Sequence, residues 1–557
     1  MPELEQSSSQ VWRRAFDQLK SWVRAKPPLL KLSGAILLGA ILCAPSVWML
    51  SAIPPLWRDL DAYVQVTHPP GVATILVWGP LYCFAARIPL YLGYARDCLV
   101  TGAPFPRLGF FLHPTLTDSG AFLLVLLQHG ALGFSSFYLI VSTSRLFLVR
   151  LALAILWAAN PLFYVFANCV GSETLSMVLV LLLGAIGLRI IQHPRIAPSK
   201  EWILFGVLLW LCILTRHMNA VLAAVMPVTF LLLGAYRLIP VPFVKLPLLR
   251  RSRWLRASIA LRKAGVAFAL GAGCIILASA SLRGLSKAAH IPYHSTVGFT
   301  FLFRLNFLAG LPAEKRNEYL DEMAKRTSSP QVKNVISILR STVPQGPDWG
   351  MRALSKQVQR SASDQKRNLQ VAKLCRSLNR MAQAFLSPPS GLFLNAVASD
   401  FRKSLESTIP SVVRQLFENT AIHFSRPSFT PDYASLSTFR DSSRARIMAI
   451  IDTHSYLRLW ANLNYAVFLF LWSINLAFLG VFAKARKVKA ASVLSYAAAL
   501  TLIGLLMMTA NCFLNVFQPR YTLPMWELTI VSSAVLLART MDICFLSTLP
   551  DSRARWR

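Results

Sequence analysis

Acidic residues are scarce in this sequence, and several long stretches carry no charge of either sign. Of its 557 residues, 24 are Asp or Glu and 58 are Lys or Arg, so that 15% are charged, whereas a soluble protein has about 25%. Uncharged blocks occupy residues 121–144, 151–172, 264–282, 459–483 and 490–519. Each is about as long as the ~20 residues that a helix needs to cross a bilayer. The sequence therefore excludes a soluble enzyme, a fibrous protein and a disordered chain, and predicts an all-α polytopic membrane protein.

Motifs for nucleotide, metal and disulfide chemistry are also missing. The sequence has no Gly-rich phosphate loop, no metal-type Cys/His spacing and no internal repeat, which argues against ATP-driven transport by this chain alone. Residues 284–458 contain one cysteine, Cys375, so a disulfide framework is excluded there. No cofactor is expected, and a divalent cation is left open.

Positive charge dominates, with a net charge of +34. In a soluble protein this excess would suggest a nucleic-acid partner. Here the basic residues flank apolar blocks, where they face anionic headgroups and the cytoplasm. The expected partner is therefore a membrane, and binding to nucleic acid is not expected.

Loop charges determine the predicted topology. Residues 237–263 hold eight basic residues and no acidic one, and the positive-inside rule places them in the cytoplasm. Counting 71–94 as a full span would place them outside, so this stretch, which contains Pro80, Arg87 and Pro89, is predicted to be interfacial or re-entrant. Ten spans with both termini inside follow, at about residues 32–53, 120–144, 149–170, 174–192, 201–215, 218–236, 264–283, 459–483, 490–515 and 521–540.

Four regions result from this topology. Residues 1–31 form a basic amphipathic segment on the cytoplasmic face, and 32–283 form an N-terminal membrane half. Residues 284–458 are polar and form a mostly helical extracytoplasmic insertion, in which Arg304 is interpreted as an interfacial arginine reaching for headgroups. Residues 459–557 hold the last spans and a basic tail. The insertion has no Asn-X-Ser/Thr site, which favours a bacterial inner membrane.

Two aspartates stand in the first outer loop, residues 54–71. Asp59 and Asp61 follow the first span and precede Tyr63 and His68. A carboxylate near apolar surface can have its pKa raised toward neutrality, as a general base requires. On an extended loop both aspartates would point the same way, so that a shared proton or a bridging cation is an alternative. A second alternative is that both only solvate a helix end.

Three more ionisable residues end spans on the same predicted side. Glu173 follows the third span, Arg216 ends the fifth, and Arg520 precedes Tyr521 near the last. Charged residues at membrane depth are costly and therefore suggest function, and a guanidinium binds phosphate with two parallel hydrogen bonds. The alternative is that the arginines pair with Glu173 or Glu527.

Together these pieces resemble the integral-membrane glycosyltransferases of the GT-C fold, close to the protein O-mannosyltransferases and the lipid A aminoarabinose transferases. The pieces that carry the resemblance are Asp59 with Tyr63 and His68-Pro69-Pro70, Asn160-Pro161 with Ser172-Glu173, Thr215-Arg216, and Pro519-Arg520-Tyr521. Leu60 separates the two aspartates, and Glu527 stands where a proline is usual in the family.

The resemblance implies an inverting transfer of a sugar from a polyprenyl-phosphate donor to a lipid, glycan or protein acceptor. It places Asp59 as the base, with Asp61 as its substitute, and implies donor or acceptor contacts for Tyr63, His68, Glu173, Arg216, Arg520 and Tyr521. The active site would face outward. Two other classes are weighed against it: a ligase or polymerase of lipid-linked glycans, and a secondary transporter with broken helices and polar residues at the midplane.

Overall fold

The computed structural model describes residues 28–53, 55–57, 60–67, 71–102, 117–192, 198–238, 247–342, 354, 363–386, 389–415, 463–485, 490–515 and 517–547. Its helices, in chain order α1 to α18, are Pro28–Ala52, Leu60–Thr67, Pro80–Thr101, Asp118–Thr143, Phe147–Ala158, Pro161–Ala167, Ser172–Gln192, Ser199–Thr215, Val225–Leu238, Pro247–Ala288, Val297–Arg304, Ala313–Arg326, Pro330–Ser341, Asp364–Leu386, Gly391–Glu406, Tyr465–Ala485, Ala491–Leu514 and Leu523–Ser547. Two short strands, β1 (Leu56–Trp57) and β2 (Cys169–Val170), form a parallel pair. A π-helical turn lies at Ala73–Val77, and 3₁₀ turns lie at His217–Ala224, Leu305–Gly310 and Pro519–Thr522.

The apolar blocks form long helices, as a bilayer requires, because only a helix satisfies all of its backbone groups within one segment. Among the described residues, eight helices are long and apolar enough to cross a membrane, and a ninth is counted if α5 and α6 form one span. This confirms the all-α, multi-pass class. The predicted span at 201–215 is α8, whose 17 residues rise about 26 Å against a bilayer core of about 30 Å, so the count of ten stays a prediction.

A sharp bend interrupts the predicted third span. Helices α5 and α6 meet at 60° around Asn160 and Pro161. The Asn160 side chain accepts a hydrogen bond from the backbone N–H of Leu162 at 3.0 Å, which starts a new helix. Pro161 takes the first helical position, where its missing N–H costs nothing. The Asn-Pro pair thus ends one helix and starts the next in a new direction.

Helix α3, which begins within residues 71–94, packs along only part of α4. Gly93 of α3 lies against Gly120, near the first turn of α4, with so little space that a Cβ at Gly93 would be 2.2 Å from the backbone of Gly120. Eleven residues earlier in α3, the Tyr82 hydroxyl bonds to Gln128 in the middle of α4. Helix α3 therefore pairs with the first half of α4, and its interfacial or re-entrant placement stays a prediction.

The insertion is helical where it is described. Helices α11 to α15 pack around an aromatic core in which Phe301 contacts Phe385 and Phe393, with ring centroids 5.4 and 6.1 Å apart. Phe393 also contacts Phe513 of α17 at 6.1 Å, so this core continues onto a membrane helix. Residues 416–462, and most of the predicted amphipathic segment 1–31, lie outside the described residues.

The interpretation of Arg304 as an interfacial arginine is wrong. Its side chain is 0% exposed and forms an ion pair with Asp400 of α15. It also donates to the backbone carbonyl of Asn515 at 3.3 Å, and the Phe517 N–H donates to Asp400 at 3.2 Å. Sequence alone could not find this pair, because its members are 96 residues apart. The pair joins the insertion to the segment that leads into Arg520.

Candidate functional site

The first loop lies beside the segment that leads to Glu173. Strand β1 pairs with β2 in register, Leu56 opposite Cys169 and Trp57 opposite Val170. Neighbouring strands lie about 4.8 Å apart. Asp59 comes two residues after Trp57, and Glu173 comes three residues after Val170. The pairing therefore brings the two acidic segments to one end of the helix bundle, which we call the loop end.

Of the four residues predicted in this loop, two lie outside the described residues, namely Asp59 and His68. Asp61 and Tyr63 lie in α2, Leu60–Thr67. The backbone at Asp61 is therefore helical, and the extended-loop alternative does not apply at this residue.

Helix α2 also contains a residue that the sequence argument missed. Gln65 is buried, and its Nε2 has no hydrogen-bond partner among the described residues. Buried amides are nearly always satisfied, and an exception calls for an explanation. An unsatisfied donor in the acidic loop is a candidate contact for a substrate oxygen, although no sequence motif distinguishes it from the polar residues around it.

Glu173 and Arg216 lie together at the loop end. Glu173 starts α7 and is 5% exposed, and Arg216 follows the last residue of α8. The Arg216 Nη1 lies 3.3 Å from the Glu173 Oε1. This is the pairing that was weighed as the alternative to phosphate binding.

A second buried carboxylate shares the same arginine. Glu527 of α18 is buried, interacts electrostatically with Arg216, and has an Oε1 without a hydrogen-bond partner among the described residues. Glu527 occupies the position where the resemblance leads one to expect proline. One arginine thus faces two carboxylates, Glu173 and Glu527, and its positive charge is already matched by the protein.

Arg520 has different surroundings. It lies in the 3₁₀ turn Pro519–Thr522, its guanidinium 5.3 Å from the ring centre of Tyr521. Its Nε donates to the Gln518 side chain at 2.9 Å, and its backbone N–H donates to the Gln415 side chain at 2.9 Å. Since Gln415 belongs to the insertion, Arg520 lies where the insertion meets the membrane helices. Predicted residues Arg520 and Tyr521 are thus adjacent, and no described ion pair joins Arg520 to Glu527.

The comparisons with known proteins add nothing to this geometry. No family model and no curated protein matches the chain.

A small cavity lies beside Tyr521. Its volume of about 10 Å³ suffices for about one water molecule, so it is not a preformed sugar pocket. It is lined by Ser404, Met508, Asn511, Cys512, Asn515, Phe517, Gln518, Tyr521 and Thr522. Within the described ranges, no three His, Cys, Asp or Glu side chains are grouped so that they could hold a metal ion.

A buried polar network lies beneath the paired strands. Its centre is two consecutive residues of α4, Gln128 and His129, which contact the backbone of residues 167–171 and the side chains of Ser46 and Asn168. His129 is buried and hydrogen-bonded within the helix bundle. Gln128 gave no sequence signal, because a single glutamine in an apolar helix has many explanations.

Proposed function

We propose that this protein is a GT-C-type membrane glycosyltransferase, which moves a sugar from a polyprenyl-phosphate donor to a lipid, glycan or protein acceptor on the extracytoplasmic face. The observation that supports the proposal is the pairing of β1 with β2, because the segment of Asp59 and Asp61 follows β1, and Glu173, which pairs with Arg216, follows β2. Carboxylates and arginines at one end of a helix bundle suit chemistry on a phosphate delivered by the bilayer, and such a reaction needs no nucleotide-binding domain.

The proposed reaction is a single inverting displacement. Asp59 accepts the proton of an acceptor hydroxyl or amine, and the acceptor heteroatom forms a bond to the anomeric carbon. The bond from that carbon to the phosphate oxygen breaks, and its electron pair leaves with the lipid phosphate. We assign the stabilisation of this phosphate to Arg520, whose guanidinium lies beside Tyr521 where the insertion meets the membrane helices. Arg216 then orients Glu173 toward the acceptor or the sugar.

The decisive experiment measures single-turnover transfer from synthetic polyprenyl-phosphate sugars by protein in nanodiscs. Removal of a general base typically lowers the rate by ~10²–10⁴-fold, and we expect this for Asp59→Asn. Asp97→Asn is the matched control, since Asp97 bonds Ser119 at the outer end of α3 and α4 and has no assigned role. Loss confined to Asp61→Asn would exchange the two roles. Normal rates for both loop variants would refute the aspartate base and favour the ligase or polymerase.

The phosphate assignment is tested separately. Removal of a donor to a developing negative charge typically costs ~2–4 kcal/mol of transition-state stabilisation, which we expect for Arg520→Ala. Arg216→Ala should instead destabilise the fold, because it removes the positive charge that faces the buried carboxylates of Glu173 and Glu527. An Arg520→Ala protein that stays folded and transfers sugar at the normal rate would contradict the assignment.

One observation favours a secondary transporter as the second candidate. The 60° break between α5 and α6 resembles the discontinuous helices that surround substrate sites in transporters, and polar Ser46, His129 and Asn168 lie buried near that break. Proteoliposomes distinguish the two candidates. Uptake of a free sugar or sugar phosphate without covalent transfer supports the transporter, and transfer in detergent without a sealed compartment supports the enzyme.

A further inference from the structure

Gln128 uses its whole carboxamide within the protein. Its Nε2 donates to the backbone carbonyls of Ala167 and Cys169, both at 2.9 Å, and its Oε1 accepts from the Tyr82 hydroxyl at 3.0 Å. Tyr82 in turn accepts from the backbone N–H of Gly171 at 2.9 Å. Gln128 is 7% exposed, so these bonds are shielded from water and cannot be replaced cheaply.

The neighbouring residue, His129, is linked to the segment that leads into β1. The His129 Nδ1 lies 3.0 Å from the Ser46 hydroxyl, and its Nε2 lies 3.4 Å from the Asn168 Oδ1. The Asn168 side-chain nitrogen donates to the carbonyl of Ile53 at 3.4 Å, three residues before β1. One helical turn of α4 thus contacts the segment before Glu173 directly. Through Asn168, the same turn is also linked to Ile53, where the chain enters the acidic loop.

Helix α4 bonds directly to the segment of β2 and, through Asn168, to Ile53 ahead of β1, so it links the segments that carry the two strands. Residues 167–171 contain β2, and three of their backbone groups, the carbonyls of Ala167 and Cys169 and the N–H of Gly171, bond to Gln128 or Tyr82. A two-residue strand pair has too few hydrogen bonds of its own to define a register. The Tyr82 and Gln128 side chains, from α3 and α4, therefore supply hydrogen bonds that the strands themselves lack.

We propose that Gln128, together with Tyr82, is a positioning residue that sets the β1–β2 register and so places the loop of Asp59 and Asp61 relative to Glu173. This inference rests on the proposed transferase function for its catalytic consequence, but not for its structural part. Gln128 touches backbone and no reacting atom, so it acts only through the segments that it holds. A misplacement of about 1 Å is enough to cost ~10²-fold in rate.

A disulfide reports the register without any assumption about activity. Leu56 lies opposite Cys169, and paired strands bring Cα atoms within the ~4.4–6.8 Å that a disulfide spans. A Leu56→Cys protein should therefore cross-link to Cys169 under mild oxidation, read by peptide mass spectrometry. Trp57→Cys is the matched control, because its partner Val170 is not a cysteine and neighbouring strand positions face opposite sides.

The test repeats this cross-link in two further variants. Gln128→Met keeps the length of the side chain and removes its hydrogen bonds, and Tyr82→Phe removes one hydroxyl. Both should lower the cross-link yield several-fold. Ser135→Ala is the control, since Ser135 is equally buried on α4 but bonds only to Leu132 of its own helix, and it should leave the yield unchanged.

The transfer assay supplies the catalytic readout. If Gln128 positions the loop, Gln128→Met lowers kcat by ~10–100-fold and leaves the KM for the donor near its normal value. Equal cross-linking in the Gln128→Met, Tyr82→Phe and Ser135→Ala proteins would overturn the proposal, whatever the transfer rates. A reduced cross-link with unchanged kcat would overturn its catalytic part. A reduced cross-link in a protein that never transfers sugar would support the positioning role and refute the transferase.

Discussion

Replacing Asp400 with leucine should destabilise the protein by about 3–5 kcal/mol, the typical cost of breaking a buried ion pair. The reason is that Arg304, 0% exposed, would keep its charge without a carboxylate. Its remaining described hydrogen bond, to the Asn515 carbonyl at 3.3 Å, cannot neutralise a guanidinium. The Phe517 N–H, which donates to Asp400 at 3.2 Å, would also lose its acceptor.

The double variant separates charge from packing. If the cost comes from an unpaired charge, Arg304→Met combined with Asp400→Leu should recover most of the lost stability, because apolar replacements of buried ion pairs are often neutral or better. Arg402→Ala is the matched control on the same helix. Arg402 and Glu406 form an exposed pair, with side chains 81% and 55% accessible, and its loss should have no measurable effect.

Thermal unfolding in detergent, followed by tryptophan fluorescence, measures the effect. An unfolding entropy of about 2.1 cal/mol/K per residue over 557 residues converts 3–5 kcal/mol into a Tm lowered by about 3–4 °C for a chain that unfolds as one unit. An equal lowering of the Tm in the Asp400→Leu protein and in the double variant would show that the loss of stability comes from altered packing and not from an unpaired charge. That result would refute the reasoning. An unchanged Tm in the single variant would refute it directly.

Three further predictions follow from individual residues. Gly93→Ala should cost about 1–3 kcal/mol by overpacking, because its Cβ would be 2.2 Å from Gly120, whereas Gly130→Ala, which has open space, should not lower the Tm. Burial raises the pKa of Cys375 to about 11, so at pH 8 its thiol stays protonated and should resist maleimide in the folded protein; labelling as fast as in denatured protein would contradict this. An Arg251→Cys protein should be labelled from the cytoplasmic side alone, and labelling from outside would overturn the predicted topology.

Local features of the fold could be predicted because their causes are local. The break at Asn160 and Pro161 follows from a side chain that caps a helix start and a ring that lacks an N–H. The end of α8 at Thr215 was expected from the polar residues Thr215, Arg216 and His217 that follow an apolar run. An extended backbone was one alternative for the loop of Asp61, which is helical; eight residues in a polar loop give too weak a periodicity to distinguish a helix from an extended segment.

Partnerships across the chain could not be predicted. That Arg216 faces Glu173 was one of several open pairings, and its interaction with Glu527 adds a third member to the group. Arg304 was interpreted as interfacial because an arginine near an apolar block usually reaches for headgroups, and nothing nearby in the sequence points to Asp400. The role of Gln128 depends entirely on backbone groups about 40 residues away.

By itself, the sequence determined that this chain forms membrane-spanning helices, because uncharged runs of about 20 residues have no other stable conformation in lipid. It also determined that carboxylates and arginines occur in the segments between them. Only the tertiary structure decided which of these segments meet: β1 with β2, Glu173 with Arg216, and Arg304 with Asp400. Buried charges and backbone groups must each find a partner, and the identity of that partner depends on how the helices pack.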